Sequence, residues 1–335
     1  MLFPFSYFIF FLTLILGTIL SISSSSWFGA WIGLELNLMS FIPLISIKMN
    51  YYFSEAALKY FLIQALASTI IISSSCLILF SHLTPYFLIL MSLLLKLGAA
   101  PFHFWFPQVM EGLSWLQAII LMTIQKFAPM YLISYMVSDS MFLHFTLMSA
   151  TMSAIVGALS GLNTLKLRKL MAFSSINHMS WMLVAMSLNQ TMWLMYFIFY
   201  SVISISVIAM FFVLQIYNMS DLLNFKISKS LFMLSIPMSL LSLGGLPPFS
   251  GFIPKWMMIQ IMLNNNMVLI LLFLLMSSLT TLYFYLRMLT PFVLLSIPVL
   301  SFNMKASPPQ LLFFLSLFSF MNIMGLWLPI PFFIY

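Results

Sequence analysis

A chain of 335 residues ordinarily makes two soluble domains, but here 63% of the residues are hydrophobic and 5% are charged, against roughly a quarter charged in soluble proteins. That leaves too little polar surface for a particle in water and implies an integral membrane protein. The net charge of +7 comes from 12 basic and 5 acidic residues, too dispersed for the clustered basic face that nucleic acid requires, and the single cysteine, Cys76, excludes an intrachain disulfide and a cysteine-built zinc or iron–sulfur site.

A bilayer crossing takes about 20 predominantly apolar residues. Windows of that length place spans at about 3–22, 27–47, 55–80, 85–110, 115–138, 141–162, 171–188, 192–217, 231–262, 267–290 and 310–330. The fold class expected is therefore an all-α polytopic membrane protein of about 11 transmembrane helices. The first helix follows Met1 almost directly, without a basic leader or a small-residue cleavage site, and reads as a retained span.

Loop charges orient the spans. One side receives Lys48, Lys166, Arg168, Lys169, Lys226, Lys229 and Lys305, with Arg287 near a helix end and the acids Glu55, Glu111 and Asp221. The other side receives short turns whose only formal charge is Asp139. Lys and Arg accumulate on the non-translocated side of short loops, so the N-terminus lies inside and the C-terminus outside. Adding or removing a span in the middle would scramble this segregation.

The fourth and ninth spans are long, and each is interrupted by Gly and Pro. Residues 98–107 read GAAPFHFWFP and residues 245–254 read GLPPFSGFIP. Both fit G-x-x-P-F-x-x-(aromatic)-x-P. The expected breaks lie near 98–101, with Gly98 and Pro101, and near 244–251, with Gly244, Gly245, Pro247 and Pro248. The ninth span comes five places after the fourth, an odd step, so they run in opposite directions, as in the inverted repeats of transporters. Ordinary proline kinks are the alternative; the shared ten-residue pattern favours a repeat. The halves so defined are 1–138 and 139–290 of one membrane domain, followed by a C-terminal loop and last helix over 291–335.

Four ionisable residues sit well inside spans: Glu35, Lys96, Lys126 and Lys255. Each costs roughly 2.5–3.5 kcal/mol at a helix centre on insertion scales, and such residues mark ion or proton pathways. Lys96 lies just before the first break, Lys255 directly after the second pattern, and Lys126 about mid-span in the helix that follows the first break. Burial disfavours a charged lysine and a nearby carboxylate favours it, so lysines and a glutamate linked by water can take up and release protons. Static buried ion pairs are the alternative. Lys59 and His178 form a second tier, Lys59 because it sits only about a turn inside its span and can snorkel, His178 because histidine titrates near neutral pH. His103 suits packing as well as function, and His82 and His144 fall at span ends. No phosphate loop, dinucleotide fingerprint or nucleophile elbow occurs, so any energy for pumping comes from outside the chain.

The segments WIGLELNLMSFIPL (31–44), EAALKYFLIQALAS (55–68), LLLKLGAAPFHFWFP (93–107), KLMAFSSINHMSWML (169–183) and LSLGGLPPFSGFIPKW (241–256) resemble the chain 2 family of mitochondrial NADH:ubiquinone oxidoreductase, respiratory complex I, in an arthropod-like animal version. Abundant Met (30) and Phe (36) suit an AT-rich mitochondrial genome that reads an extra codon as Met. The resemblance implies an antiporter-like, proton-translocating subunit of the membrane arm, part of the proton-translocating NADH:ubiquinone reductase but without redox chemistry of its own. The family's proton-path residues correspond to Glu35, Lys96, Lys126 and Lys255. NADH, FMN, iron–sulfur clusters and ubiquinone are expected in other subunits, and this chain binds no cofactor or metal. Expected partners are neighbouring antiporter-like chains, the small membrane chains and inner-membrane lipids, with no nucleic acid. The N-terminus is expected in the matrix and the C-terminus in the intermembrane space. Against fourteen-helix bacterial and plant relatives the chain begins at the fourth helix, which implies a truncated first half. A free-standing Mrp-type cation/proton antiporter is the alternative.

Overall fold

A computed structural model of the chain describes residues 5–46, 50–78, 80, 83–223 and 230–294. Two compact units emerge, residues 1–153 and 154–335. The first carries α1 (Phe5–Ser23), α2 (Trp27–Ile45), α3 (Tyr51–Leu77), α4 (Leu83–Leu97), α5 (Trp105–Gly112), α6 (Trp115–Met122) and α7 (Ile124–Met136). Then α8 (Ser140–Leu162) crosses the boundary between the units, and α9 (Leu167–Leu188), α10 (Gln190–Leu214), α11 (Met219–Leu223), α12 (Ser230–Gly244), α13 (Phe252–Asn264) and α14 (Val268–Leu294) follow.

Ten expected spans coincide with these helices or with helix pairs; the eleventh, 310–330, lies outside the described residues, as do Lys48, His82, Lys226, Lys229 and Lys305. Among the described residues, seven stretches are long and apolar enough to cross a membrane unaided: Phe5–Ser23, Trp27–Ile45, Tyr51–Leu77, Trp115–Met136, Ser140–Leu162, Gln190–Leu214 and Val268–Thr290. The outer faces of α1 (Phe8, Leu12, Leu16, Ile19) and α14 (Leu269, Leu272, Met276, Leu279) are exposed and apolar, as lipid contact requires. Inside the helices, serine and threonine hydroxyls donate to carbonyls three residues back, as Ser68 does to Ala65 and Ser206 to Ile203. Their polarity is thereby satisfied without water.

Small residues set the closest approaches. A Cβ on Gly17 would stand 2.9 Å from the Gly33 oxygen and the Asn37 nitrogen, so α1 and α2 meet backbone to backbone. Such contacts hold membrane helices together where the hydrophobic effect does not. The same contact recurs in the second unit: a Cβ on Gly157 would stand 2.9 Å from the Phe173 oxygen and 2.8 Å from the Asn177 nitrogen. Asn37 and Asn177 head matching stretches, NLMSF (37–41) and NHMSW (177–181), so this part of the repeat runs at an offset of 140 residues. The broken helices align at 147; α11, which has no counterpart among the described residues before the first break, lies in the interval where the seven extra residues enter. Among the described residues α6 and α7 of the first half stand in the repeat where α14 stands in the second. One departure concerns the span at 115–138, expected as one helix: it is interrupted at Thr123 (φ −114°, ψ −81°), whose hydroxyl donates to Ile119 O at 2.7 Å.

Candidate functional site

Each broken helix is built by one local rule. Gly98 and Gly245 adopt φ of +70° and +73°, the left-handed region in which glycine avoids the Cβ penalty. The chain then turns back on the preceding helix: Gly98 N donates to Leu95 O (3.1 Å) and Ala99 N to Leu94 O (3.2 Å). In the second unit Gly245 N donates to Ser242 O (3.0 Å) and Leu246 N to Leu241 O (3.3 Å), so the hydrogen-bonding positions correspond one for one. These are the ends of helices closed by a glycine cap. The Ala100–Pro101 and Pro247–Pro248 peptide bonds are both cis. Gly244 was grouped with the break but is the last residue of α12. Irregular backbone of this kind persists at membrane depth only inside protein or beside a cavity.

In the first unit Lys96 occupies the last turn of α4 and is 6% exposed, its carbonyl accepting from Gln64 Nε2 at 3.2 Å. Trp105, which opens α5, donates its indole N–H to Leu95 O at 3.0 Å and so covers the break. Lys126 lies in the first turn of α7, directly beyond the Thr123 interruption, and is 2% exposed. Its Nζ stands 4.7 Å from the centroid of the Phe106 ring, in cation–π range. A cavity of about 10 Å³ lies among Lys96, Lys126, Asn37, Tyr60, Gln64 and Gln125, among other residues. That is about the least room that holds one water. Glu35 lies two residues before Asn37 on α2, with Oε2 buried and without a hydrogen-bond partner among the described residues. Its carboxylate interacts electrostatically with Lys96 and with Tyr60, with no direct ion pair between Glu35 and Lys96.

In the second unit Lys255, on the first turn of α13, is 7% exposed and donates from Nζ to Gly244 O at 2.8 Å. Its stem lies over Gly245, where a Cβ would stand 2.8 Å from Lys255 Cδ. His178 is buried on α9, with Nδ1 3.1 Å from the Tyr196 hydroxyl and its ring 5.1 Å from that of Tyr200. The structure thus gathers Glu35, Lys96 and Lys126 in one unit and gives Lys255 and His178 to the other. Lys59 joins neither group: it pairs with Glu55 at 2.6 Å, both side chains about 40% exposed. Arg287, placed near a helix end, donates to Leu162 O at 2.9 Å and caps the C-terminus of α8. His103 is buried and packs against Phe104 with ring centroids 4.1 Å apart, whereas His144 is exposed.

Sequence reading missed the neutral polar residues that connect the site. Gln125 Nε2 donates to Asn37 Oδ1 at 2.8 Å, and Tyr60 OH donates to Gln125 Oε1 at 3.1 Å. Gln117 Nε2 donates to Leu44 O at 2.6 Å. Lone amides in otherwise apolar spans were the available signal, because an unpaired amide in hydrocarbon costs several kcal/mol. Among the described residues no three His, Cys, Asp or Glu side chains converge as metal ligands.

Residues 78–281 match the model of the NADH:quinone oxidoreductase/Mrp antiporter transmembrane family. The chain belongs to this family. It is 46% identical over 328 residues to NADH-ubiquinone oxidoreductase chain 2 of Anopheles gambiae, covering 95% of both chains. It is 40% identical to the chain of the same name from Locusta migratoria, covering 82% of each. In fold it is similar to a chain of respiratory complex I from Thermus thermophilus, with a TM-score of 0.85 and 23% identity over 98% of this chain and 79% of that one. A chain of the Mrp complex from Dietzia sp. gives a TM-score of 0.76 with 17% identity, over 84% of this chain and 59% of the other.

Proposed function

We propose that the chain is a membrane-arm subunit of respiratory complex I, multi-pass in the mitochondrial inner membrane, and that it takes part in proton translocation while electrons pass from NADH to ubiquinone in other subunits. The observation that carries this reading is the placement of three buried lysines, each beside an interruption of its helix: Lys96 before Gly98, Lys126 after Thr123 and Lys255 after Gly251. A broken helix exposes carbonyls that its own ladder leaves unpaired, and Lys255 reaches one of them at Gly244. A lysine so placed has somewhere to hold its proton and a water route by which to pass it on. Glu35 biases the first of these lysines electrostatically, which gives an outside push a charge to act on.

In this reading Glu35, Lys96, Lys126 and Lys255 carry protons, and His178 and Lys59 are secondary. The chain itself binds no cofactor. Its partners are other membrane subunits of the complex, including antiporter-like and small membrane chains, together with inner-membrane lipids. The basic loop at Lys166, Arg168 and Lys169 puts the N-terminus on the matrix side, and the turn at Asp139 faces the intermembrane space. Similarity of fold to an Mrp chain supports a second reading, a free-standing antiporter; relatives named chain 2 and matched nearly end to end favour the first.

A native gel of gently solubilised membranes separates the two. Peptides of this chain confined to a very large NADH-oxidising band support the complex I subunit, and a small band without that activity supports the antiporter. Within the assembled complex, Lys96→Met is expected to lower the number of protons moved per NADH. An unchanged yield would make the chain a structural spacer.

A further inference from the structure

The cavity between Lys96 and Lys126 holds at most about one water, so a water-linked proton transfer between them needs the surrounding helices to part. What keeps them together is visible. Gln125, the residue before Lys126, bonds at once to α2 through Asn37 (2.8 Å) and to α3 through Tyr60 (3.1 Å). Eight residues earlier Gln117 fastens α6 to the carbonyls of Leu44 and Ile45 at the end of α2. The interruption at Thr123 falls between these two attachment points, so α7 can shift at its first turn while α6 stays fixed.

The amide chemistry defines the role. A neutral glutamine neither accepts nor releases a proton at physiological pH, so the Tyr60–Gln125–Asn37 chain cannot itself be the carrier. It is positioned to decide whether water enters. The second unit ties the equivalent asparagine in the same way with a different partner: Ser277 donates to Asn177 Oδ1 at 2.9 Å, and Asn177 Nδ2 donates to Thr281 Oγ1 at 3.3 Å. A cross-helix tie at this asparagine is thus built twice from unlike residues.

Resting on the proton-translocation reading above, we infer that Gln125 is a positioning residue: a latch that, by bonding Asn37 and Tyr60, sets the separation and hydration of Lys96 and Lys126, and whose release admits the water that joins them. Neutral hydrogen bonds such as these two are individually weak in net terms, so thermal opening or a modest push releases them.

The test uses the assembled complex, reading NADH oxidation and protons moved per NADH separately. Gln125→Met keeps the side chain's length and removes both bonds; the coupled proton yield is expected to fall about 2- to 10-fold, while NADH oxidation by the rest of the complex continues. The exchange Asn37→Gln with Gln125→Asn keeps the combined length of the pair and is expected to recover most of the yield that Gln125→Asn alone loses. A packing role predicts the opposite, with Gln125→Met harmless and the exchange no better than the single variant. Should Gln125→Met fail to assemble, Tyr60→Phe removes only the hydroxyl that donates to Gln125; an unaltered yield in Tyr60→Phe, together with an exchanged pair no better than Gln125→Asn alone, overturns the latch. Lys96→Met is measured alongside. If it leaves the proton yield intact, the carrier reading fails; if it lowers the yield while Gln125→Met does not, only the latch fails.

Discussion

The two units fold on one plan and carry their charges at different points of it. Position for position, the second unit has Ser175 where the first has Glu35, and Leu243 where the first has Lys96. Conversely, Lys255 corresponds to Gln108 in the first unit, so the lysine has moved from the helix before the break to the helix after it. What stays constant is geometry: the glycine with positive φ, the two backbone bonds that close each helix, and the glycine–asparagine contact between the first two helices of each half. The difference teaches that the break is the scaffold and the lysine a tenant of it. The helix that ends at a break leaves carbonyls open, and a lysine on the far side can reach back to them, as Lys255 does to Gly244 O, so a buried ammonium can be housed on either flank.

The largest effect is expected where the scaffold itself differs. Gly251 and Phe104 are equivalent under the repeat. A Cβ on Gly251 would overlap the Ser242 carbonyl, which is backbone and cannot swing away. At the matching place Phe104 points outward, 70% exposed. Gly251→Ala is therefore expected to destabilise the chain by about 3 kcal/mol or more, the upper range for forced overpacking. Phe104→Ala is expected to stay within about 0.5 kcal/mol. Complex assembly and thermal inactivation check both, and equal losses would show that the second break is no tighter than the first.

Next comes the charge that only the first unit has. Glu35→Gln removes the carboxylate that acts on Lys96 and is expected to slow coupled turnover about tenfold, within the usual range of a coupling between sites. Ser175→Ala removes a hydroxyl bonded to Ala172 O within its own helix, and is expected to change turnover by about twofold or less. Full NADH oxidation with full proton yield in Glu35→Gln would show that Lys96 works without its counter-charge.

Much of this was legible in the chain. The spans follow from hydrophobic length, and the two breaks from a ten-residue pattern whose Gly and Pro restrict the backbone wherever they stand. The buried charges were visible because Glu35, Lys96, Lys126 and Lys255 interrupt apolar runs. The interruption at Thr123 was hidden, since threonine carries no obligatory helix-breaking chemistry and its hydroxyl bond to Ile119 exists only in the folded geometry. The pairing of Gln125 with Asn37 was hidden for a related reason: the residues are 88 apart, and an amide does not name its partner. The offset of 147 between the breaks also concealed the shorter repeat at 140.

The smallest expected effect separates charge from hydrogen bond at the lysine that changed flank. Lys255 donates to Gly244 O from under the glycine turn, so its loss removes both a charge and a cap on a helix end. Lys255→Gln keeps an N–H donor though a shorter reach, whereas Lys255→Met keeps apolar bulk and leaves the carbonyl to the break alone. Both variants are expected to lose the proton-carrying step. Their stabilities are expected to differ by about 1 kcal/mol in favour of glutamine, the net contribution of one hydrogen bond. Thermal inactivation of the assembled complex reads that difference. If methionine proves as stable as glutamine, the Gly244 carbonyl is not held by this side chain, and Lys255 sits at its break for its charge alone.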